Sequence, residues 1–332
     1  MGVLVLSGCA QNKPLGPESG FTNPVATTGN DPYVIGHEEG FLTVESKKGG
    51  LWVTKSEPAN LTGVFRSGNS TQVWSAPSTG ANCRDVWAPE LISLDDAWYI
   101  YYAATTCDGG NKNHRMFVLK ADTPDPMGTY SDLGAVEMKD DFWAIDGTVL
   151  DHDGSRYFIW SGWAAQEDGQ QNLYIAPMDS PTSLSAERTL LSEPTEDWER
   201  NAMPIQEGPQ ILTKDEALLI IYSASGSWTD DYAYGSLTFQ GGEILDPGNW
   251  KKSESAIFAK TDEVTGVGHG SFVKSPDGSE DWMVYHASHV PGSGWDRVIR
   301  MQPFTWDGAT PNFGVPAPPA EFLPFPSGEA KP

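Results

Sequence analysis

Five polar residues occur at nearly even intervals, each a short distance ahead of an apolar run. Four carry a carboxyl group and one an imidazole, side chains that commonly move protons in enzymes. Carboxyl groups that crowd together lose solvent and repel one another, so one stays protonated while another ionises. Hydrolysis of a glycosidic bond needs such a pairing of an acid with a base. The five residues, about sixty positions apart, are Asp31, Glu90, Asp146, Glu207 and His269.

The apolar runs that follow these residues predict β-strands, because they are rich in β-branched and aromatic residues and too short for helices. Turn sequences ahead of two runs, Asp151-His-Asp-Gly154 and Ser275-Pro-Asp-Gly278, predict antiparallel hairpins. Polar and apolar residues do not alternate within the runs, so we expect both faces of each sheet to be covered. The runs are 41–44, 98–102, 157–160, 217–222 and 282–285.

Sheets stacked face to face around an axis satisfy both expectations. The predicted fold class is all-β, a five-bladed β-propeller with antiparallel four-stranded blades. Its units fill residues 30–326, leave no room for a second domain, and are followed by a C-terminal tail at 327–332. The innermost strands of a propeller begin at one end of its channel, so the five polar residues should converge there. The alternative is a β-sandwich in which the acidic residues lie scattered.

The composition excludes nucleic acid as a partner and argues against both a disordered chain and a membrane-spanning one. The chain has 21 Lys and Arg against 45 Asp and Glu, for a net charge of −24. Such a chain lacks the basic face that a phosphate backbone requires, so nucleic acid is excluded as a partner. A hydrophobic content of 39% argues against disorder. No apolar run approaches the ~20 residues of a membrane span. We expect a monomer.

The first nine residues resemble a partial lipoprotein signal peptide that ends in the lipobox Leu6-Ser7-Gly8-Cys9. Residues 10–29 are polar and predict a flexible tether. We therefore expect an exported bacterial lipoprotein, periplasmic or anchored at the outer membrane or cell surface, that contacts a membrane only through its lipid. The pattern departs from a full signal peptide because no Lys or Arg precedes the apolar run. The alternative is an ordinary frayed terminus.

Two cysteines remain once Cys9 is assigned to the lipid. Cys83 and Cys107 could form a disulfide in an oxidising compartment. The alternative is a pair of buried free thiols. Neither cysteine has a histidine arranged near it in a recognisable nucleophile motif, so we predict no catalytic cysteine.

Around the five polar residues the sequence resembles glycoside hydrolase family 43, whose five-bladed propeller enzymes act on arabinose- and xylose-containing polysaccharides. The resemblance covers nearly the whole chain after Asn30 and rests on the order and spacing of the motifs. The family-like motifs are Asn30-Asp-Pro32, Val86-Trp-Ala-Pro-Glu90, Ile145-Asp-Gly-Thr148, Glu207-Gly-Pro209 and Gly268-His-Gly-Ser271. Stretches similar to the family's exo-acting α-L-arabinofuranosidases are Asn172–Met178, Tyr222–Ser225, Leu245–Pro247 and Val284–Ala287.

The resemblance implies a role for each of three carboxyl groups. Asp31 would be the general base that activates water, and Glu207 the general acid that protonates the leaving oxygen. Asp146 would orient the acid and raise its pKa. The family inverts the anomeric configuration in one step, which implies a base and an acid about 6.5–9.5 Å apart, with room for water between them.

Four other residues match the family less directly. His269 corresponds to its channel histidine, which often lies near a bound calcium ion or a water, although calcium prefers oxygen ligands. Arg297 corresponds to an arginine that reaches the substrate pocket, with Arg300 as the alternative if the strand register differs. The family assigns no chemical step to Glu90, which would be structural or would form a hydrogen bond with sugar.

Aromatic residues near the predicted mouth are candidates for stacking on a sugar. Trp87 and Trp143 are the predicted substrate-binding rings, and Trp143 is the first choice because it is three residues from Asp146. The alternative is that these tryptophans pack in the core. Segment 108–114 predicts a loop over the same mouth, with His114 solvated. The candidate tryptophans are Trp74, Trp87, Trp143 and Trp163.

The function implied by the resemblance is an inverting glycoside hydrolase that releases terminal α-L-arabinofuranosyl residues from arabinan or arabinoxylan. No cofactor is required for such a reaction, and a structural Ca²⁺ ion in the central channel is an option. Within the family the alternatives are a β-xylosidase, an endo-arabinanase or a galactan-cleaving enzyme. Outside catalysis the alternatives are a carbohydrate-binding propeller and a propeller that binds proteins.

Overall fold

The computed structural model describes residues 19–38, 40–56, 59–167 and 169–329. Strands dominate these residues, and the only α-helix among them is the four-residue α1, Gly63–Arg66. The strands form five antiparallel sheets and one two-stranded ribbon. No helix in the described ranges is long and apolar enough to cross a membrane.

Each sheet is one blade, built from consecutive strands whose first member is the innermost. The ribbon strand β1 spans Gly20–Thr22. Blade 1 contains β2 (Tyr33–His37), β3 (Gly40–Lys47), β4 (Gly50–Ser56) and β5 (Asn69–Ser75). Blade 2 contains β6 (Arg84–Leu94), β7 (Ala97–Thr105), β8 (Arg115–Ala121) and β9 (Tyr130–Ala135).

Blade 3 departs slightly from four strands, because two short strands share its outer position and both pair with its third strand. It contains β10 (Ala144–His152), β11 (Ser155–Trp163), β12 (Gln171–Ser180), β13 (Ser183–Leu184) and β14 (Thr189–Ser192). Blade 4 contains β15 (Gln206–Lys214), β16 (Ala217–Ala224), β17 (Ala233–Phe239) and β18 (Trp250–Lys252). Blade 5 contains β19 (Gly268–Lys274), β20 (Asp281–Ser288), β21 (Arg297–Asp307) and β22 (Thr310–Asn312), and β23 spans Phe322–Pro324.

The apolar runs without alternation lie in the second strand of each blade, where both faces are covered. In β7, Tyr101 and Ala103 join the hydrophobic cluster shared with blade 3, whereas Ile100 and Tyr102 join the cluster shared with blade 1. This division follows from the period of two that places successive side chains on opposite faces. Five such clusters, one between each pair of neighbouring blades, close the ring. The five-bladed propeller is confirmed, and the sandwich alternative is wrong.

The two ends of the described chain are part of the fold. Strand β1 pairs with β23, and Ala26 pairs with Ile299 of blade 5. Residues 20–29 therefore pack against the last blade, and the predicted tether is wrong over that range. Part of the predicted tail is also held, because Thr62 donates its backbone N–H to Glu329. Residues 1–18, which include the predicted lipobox, and residues 330–332 lie outside the described ranges.

A disulfide lies at one end of the ring. Cys83 and Cys107 are bonded, with Cα atoms 5.3 Å apart. Because Cys83 precedes β6 and Cys107 follows β7, the bond joins the two ends of one hairpin. The predicted pairing is thus observed, and the free-thiol alternative is not.

Candidate active site

A left-handed residue recurs near the start of the innermost strand in every blade. The intervals are again about sixty residues. In blades 2 to 5 the recurring residue falls at a register shift in the pairing with the second strand, which is a β-bulge. Bulges of this kind re-aim side chains and are common beside functional sites. The residues, all with φ between 36° and 57°, are Asp31, Ala88, Asp146, Gly208 and His269.

This repeat corrects the register that the sequence predicts. Asp31, Asp146 and His269 are equivalent, as expected, but Ala88 and Gly208 occupy the positions assigned to Glu90 and Glu207. Glu207 is therefore one residue ahead of the left-handed position. Spacing alone could not detect the difference, because a bulge adds one residue to a strand without a sequence signature.

Asp31 lies among three cationic or potentially cationic side chains. Its Oδ1 atom is 3.1 Å from His286 Nδ1, 3.2 Å from His269 Nδ1 and 3.5 Å from Arg297 Nη1. Its backbone N–H also donates to His286 Nδ1 at 3.2 Å. Burial by itself would raise the pKa of Asp31, but these neighbours outweigh it and hold that pKa well below its usual value.

The permanent charge in this group belongs to Arg297. Burial lowers the pKa of His269, and it lowers the pKa of His286 to about 3. Both imidazoles are therefore mainly neutral near pH 7 and contact Asp31 as polar rings rather than as cations. Arg297 is 8% exposed, and the carboxylate of Asp31 balances its charge.

Asp146 and Glu207 form an interacting pair of carboxyl groups, and Asp146 approaches the same ring nitrogen of His269 that Asp31 contacts. Asp146 Oδ2 lies 3.8 Å from His269 Nδ1 and accepts the N–H of Gly208 at 3.0 Å. Glu207 Oε1 accepts the hydroxyl of Tyr232 at 2.8 Å. The Gly208 amide thus fixes the backbone of the residue that follows Glu207.

Both carboxyl groups of this pair resist ionisation. Burial, and then repulsion from Glu207 and Asp31, raise the pKa of Asp146 well above its usual value. Burial raises the pKa of Glu207 to about 7, even though Tyr232 and Arg297 oppose the rise. Two such groups titrate together, so they retain a proton between them near neutral pH. The site therefore contains one ionised carboxylate and one proton-holding pair.

Glu90 lies in a narrow channel with Asp31, Tyr33, Gln210 and His269. Its Oε1 atom accepts the side-chain N–H of Gln210, while Oε2 has no hydrogen-bond partner among the described residues. Burial raises the pKa of Glu90 to about 8, although the side chains of Thr148 and Gln210 oppose the rise.

The same channel is where the resemblance would place a calcium ion beside His269. Calcium takes six to eight oxygen ligands. Within the described ranges, no group of three or more His, Cys, Asp or Glu side chains could hold a metal. The Nδ1 atom of His269 faces Asp31 and Asp146, so the donors do not fit a calcium site made of protein ligands.

Two of the predicted substrate-binding residues differ in exposure. Trp87 is 37% exposed and stacks on His114, with ring centroids 3.7 Å apart. Trp143 is 1% exposed, stacks on Trp163, and donates its indole N–H to the carbonyl of Asn111. Trp143 therefore packs in the core, which was the alternative to stacking on a sugar, and it offers no open ring face.

His114 does not match its prediction. It is fully buried, and its two ring nitrogens contact the backbone carbonyls of Asn111 and Asp85 at 2.9 and 3.1 Å. The prediction of a solvated side chain is wrong, because the His114 ring lies under Trp87, whereas most of loop 108–114 is exposed.

The two candidate arginines separate clearly. Arg297 contacts Asp31 and donates from Nη2 to the carbonyl of Ser227 at 2.5 Å. Arg300 instead donates to the carbonyl of Ala317 on the outer side of blade 5. The structure therefore brings Arg297 into the site, and Arg300 lies elsewhere.

Three residues at the site were absent from the sequence prediction. Tyr232 and Ser227 lie in a loop that carries no recognisable motif, so no signal could have identified them. His286 lies within Val284–Ala287, a stretch that resembles the family's arabinofuranosidases without implying a role for the histidine. A polar residue inside an otherwise apolar strand was the available clue.

Gly208 offers a direct test of the left-handed position. A Cβ atom there would lie 2.9 Å from the ring of His269, at φ +57°. Gly208→Ala should displace His269 and the Asp146 hydrogen bond and lower kcat/KM by about 100-fold. Gly154→Ala is the matched control, since φ is +75° there and nothing lies within 4 Å.

Both variants should lose about 1–2 kcal/mol of unfolding free energy from the left-handed backbone. Urea denaturation measures that loss, and initial rates measure activity. Equal activity in the two variants would contradict the role given to Gly208.

Comparisons with known proteins agree with this geometry. The sequence model of glycosyl hydrolases family 43 matches residues 21–311. An extracellular exo-α-(1→5)-L-arabinofuranosidase of Streptomyces avermitilis is 31% identical over 91% of this chain, and the match spans 65% of that relative's length. A relative of the same name from Streptomyces chartreusis is 31% identical over 80% of this chain and 82% of its own.

A solved structure shares the architecture. The crystal structure of an α-L-arabinofuranosidase from Lactobacillus brevis superposes with a TM-score of 0.83 at 31% identity, covering 91% of this chain and 98% of that one. A thermostable family-43 glycoside hydrolase superposes with a TM-score of 0.78 at 25% identity, covering 93% and 99%. Since the family model matches most of the chain, this protein belongs to glycosyl hydrolase family 43.

Proposed function

We propose that this protein is an inverting α-L-arabinofuranosidase that releases terminal α-L-arabinofuranosyl residues from arabinan or arabinoxylan. The observation that carries the proposal is the asymmetry of three carboxyl groups at one mouth. Asp31 is held ionised, while Asp146 and Glu207 keep a proton between them. Inverting hydrolysis needs one carboxylate and one carboxylic acid on either side of the scissile bond.

In the proposed step Asp31 is the general base and Glu207 the general acid. A water gives a proton to Asp31 as its oxygen attacks the anomeric carbon. The bond from that carbon to the leaving oxygen breaks in the same step, and that oxygen takes the proton of Glu207. Asp31 suits the base role because its side chain is 19% exposed, compared with 5% for Asp146, so water can reach it.

Asp146 and Arg297 are proposed to support this step. Asp146 accepts the Gly208 amide, which orients the neighbouring Glu207, and the two carboxyl groups repel each other when both are ionised. Arg297 balances the charge of Asp31 and reaches toward the bound sugar. Carboxyl groups carry every proton in this scheme, so no metal or cofactor is required.

Two further residues are assigned to substrate binding or support. Trp87 presents an open ring at the mouth and is proposed to stack on sugar. Glu90 is 4% exposed and bonded to Gln210, which favours a structural role beneath the site over contact with substrate.

The choice of arabinose rests on the relatives. Two are named exo-α-(1→5)-L-arabinofuranosidases, and a solved neighbour is named an α-L-arabinofuranosidase. β-Xylosidase and endo-arabinanase activities are the competing proposals within the family. A non-catalytic carbohydrate-binding propeller is disfavoured because it would not need an ionised base opposite a protonated acid. We infer a monomer that acts on arabinose-containing polysaccharides or oligosaccharides.

We also propose export and lipid anchoring through Cys9. The lipobox-like sequence supports the anchor, and the word extracellular in the names of two relatives supports export. Membrane fractionation of the parent beside Cys9→Ser tests the anchor, which is abandoned if both are equally soluble.

Replacing the acid should make activity depend on the leaving group, whereas replacing the base should not. Glu207→Gln should lower kcat/KM on arabino-oligosaccharides by ~10²–10⁴-fold. It should lower kcat/KM far less on 4-nitrophenyl α-L-arabinofuranoside, because that leaving group needs little protonation. Asp31→Asn should lose activity on both substrates comparably, because neither leaving group can replace the activation of water.

Asp215→Asn is the matched control, since Asp215 is exposed in the hairpin at the far end of blade 4. It should keep the parent rates. Near-parent activity of Asp31→Asn would refute the assignment of Asp31 as the general base. If the parent cleaved the aryl β-xyloside faster than the arabinoside, a β-xylosidase would be favoured.

The pKa of the acid sets the alkaline limit of activity. Glu207 must be protonated to act, so kcat/KM should fall as pH rises through about 7. The Asp31 carboxylate stays ionised on the acidic side because its pKa is lowered. In Asp146→Asn the alkaline limb should move to lower pH, since the mutual repulsion by which this pair holds its last proton is lost. Initial rates across pH, with fluorescence to confirm folding, measure the limb. An unmoved limb would contradict the coupling.

A further inference from the structure

Two exposed tryptophans form a pair that the reaction scheme does not use. Trp228 is 36% exposed and Trp295 is 66% exposed. Their ring centroids are 5.6 Å apart, and their planes meet at 62°. Large aromatic side chains that are exposed side by side commonly mark a binding surface. We call these two residues the tryptophan pair.

The tryptophan pair lies at the same end of the propeller as the carboxyl groups. Trp228 is in loop 225–232 between β16 and β17, and Trp295 is in loop 289–296 between β20 and β21. Gln206, beside Glu207 at the start of the innermost strand, pairs with Ala224, where the first loop begins. Gly268 likewise pairs with His286, two residues before β20 ends. Both loops therefore rise from the mouth, on neighbouring blades 4 and 5.

The two loops are joined by specific hydrogen bonds. The Oδ1 atom of Asp230, in the first loop, accepts the N–H of Gly292 in the second loop at 2.8 Å. The same oxygen accepts the hydroxyl of Thr265 at 2.8 Å. His289 and Asp296 close the base of the second loop through a backbone hydrogen bond of 2.8 Å. The two loops that carry the rings are thus joined before any ligand arrives, which lowers the entropy lost on binding.

Loop 225–232 also contacts the acid directly. Tyr232 donates to Glu207 at 2.8 Å, and Ser227, the neighbour of Trp228, accepts from Arg297 at 2.5 Å. The acid protonates the leaving oxygen, so the leaving group lies on the side of Glu207. The tryptophan pair is consequently next to the space that a leaving group would occupy.

We propose that Trp228 and Trp295 bind the leaving-group sugars of an arabinofuranosyl chain, an inference that rests on the proposed function. The C–H faces of furanose rings pack on aromatic rings, and two rings at an angle can contact successive sugars of a curved chain. Because an exo-acting enzyme holds only one sugar at the reacting carbon, every further sugar contacts this side. The tryptophan pair should therefore raise kcat/KM for long arabinofuranosyl chains relative to short ones.

The test is the dependence of kcat/KM on chain length. In the parent, kcat/KM for arabinopentaose should exceed that for arabinobiose. In Trp295→Ala the ratio of these two values should fall by about 5- to 10-fold, mainly through a higher KM for the pentaose. Trp295 is suited to replacement because 66% of it is exposed and the hydrogen bonds that join the loops do not involve its ring. Leu190→Ala is the matched control, since Leu190 is 38% exposed on β14 of blade 3, and its ratio should equal that of the parent.

Three outcomes separate a failure of the tryptophan-pair proposal from a failure of the proposed α-L-arabinofuranosidase activity. An unchanged ratio in Trp295→Ala, with the parent active on both oligosaccharides, overturns the inference alone. A parent that hydrolyses neither oligosaccharide nor aryl arabinofuranoside overturns the proposed function and the inference together. If Trp295→Ala keeps the ratio but elutes as a smaller species than the parent in size-exclusion chromatography, the pair is a contact between protein chains and the sugar proposal is wrong.

Discussion

A left-handed residue near the start of the innermost strand of every blade is the backbone feature on which the site depends. For a residue with a Cβ atom, the left-handed conformation costs about 1–2 kcal/mol. Four of the five positions nevertheless carry one, and the surrounding ring of blades holds them in place. The conformation turns Asp31, Asp146 and His269 toward the channel axis from three different blades. At the fourth blade the ring of His269 takes the space of a side chain, so only glycine fits at position 208.

From this arrangement follows an unequal division of charge. Asp31 and Asp146 approach the same Nδ1 atom of His269, at 3.2 Å and 3.8 Å. The fixed charge of Arg297 lies on the Asp31 side, where it favours the ionised carboxylate. No cation contacts Asp146 so closely among the described residues, and burial with mutual repulsion keeps a proton on the Asp146–Glu207 pair. The carboxyl groups thus differ because Arg297 contacts Asp31, whereas burial and mutual repulsion act on Asp146 and Glu207.

Much of the fold could be predicted from sequence because its signals repeat. The apolar runs without alternation required sheets covered on both faces, and each repeat of about sixty residues supplied a blade. The packing of the N-terminal residues could not be predicted from sequence. Phe21 and Val25 are buried against blade 5, yet the stretch around them is too polar on average to predict packing. Their burial depends on partners nearly 280 residues away, such as Met301, which bonds to Asn23.

The site could be predicted in outline and not in detail. Asp31, Asp146, Glu207 and Arg297 lie together as the motifs indicated. The bulges that decide which residue is left-handed leave no mark in the sequence, so Glu90 was placed in a ring that Ala88 occupies. Trp143 and Trp87 look alike in sequence, and only the path of loop 108–114 buries one while exposing the other. Tyr232 reaches Glu207 from a loop whose sequence gives no indication of it.

The central claim is that Asp31 directs water to one face of the sugar while Glu207 protonates the leaving oxygen on the other. The most direct measurement is proton NMR of the first product formed from methyl or aryl α-L-arabinofuranoside, recorded before the sugar mutarotates. The account predicts that β-L-arabinofuranose appears first and that the α anomer accumulates only by later equilibration. Initial release of the α anomer would mean a covalent intermediate on one of these carboxylates and would contradict the account.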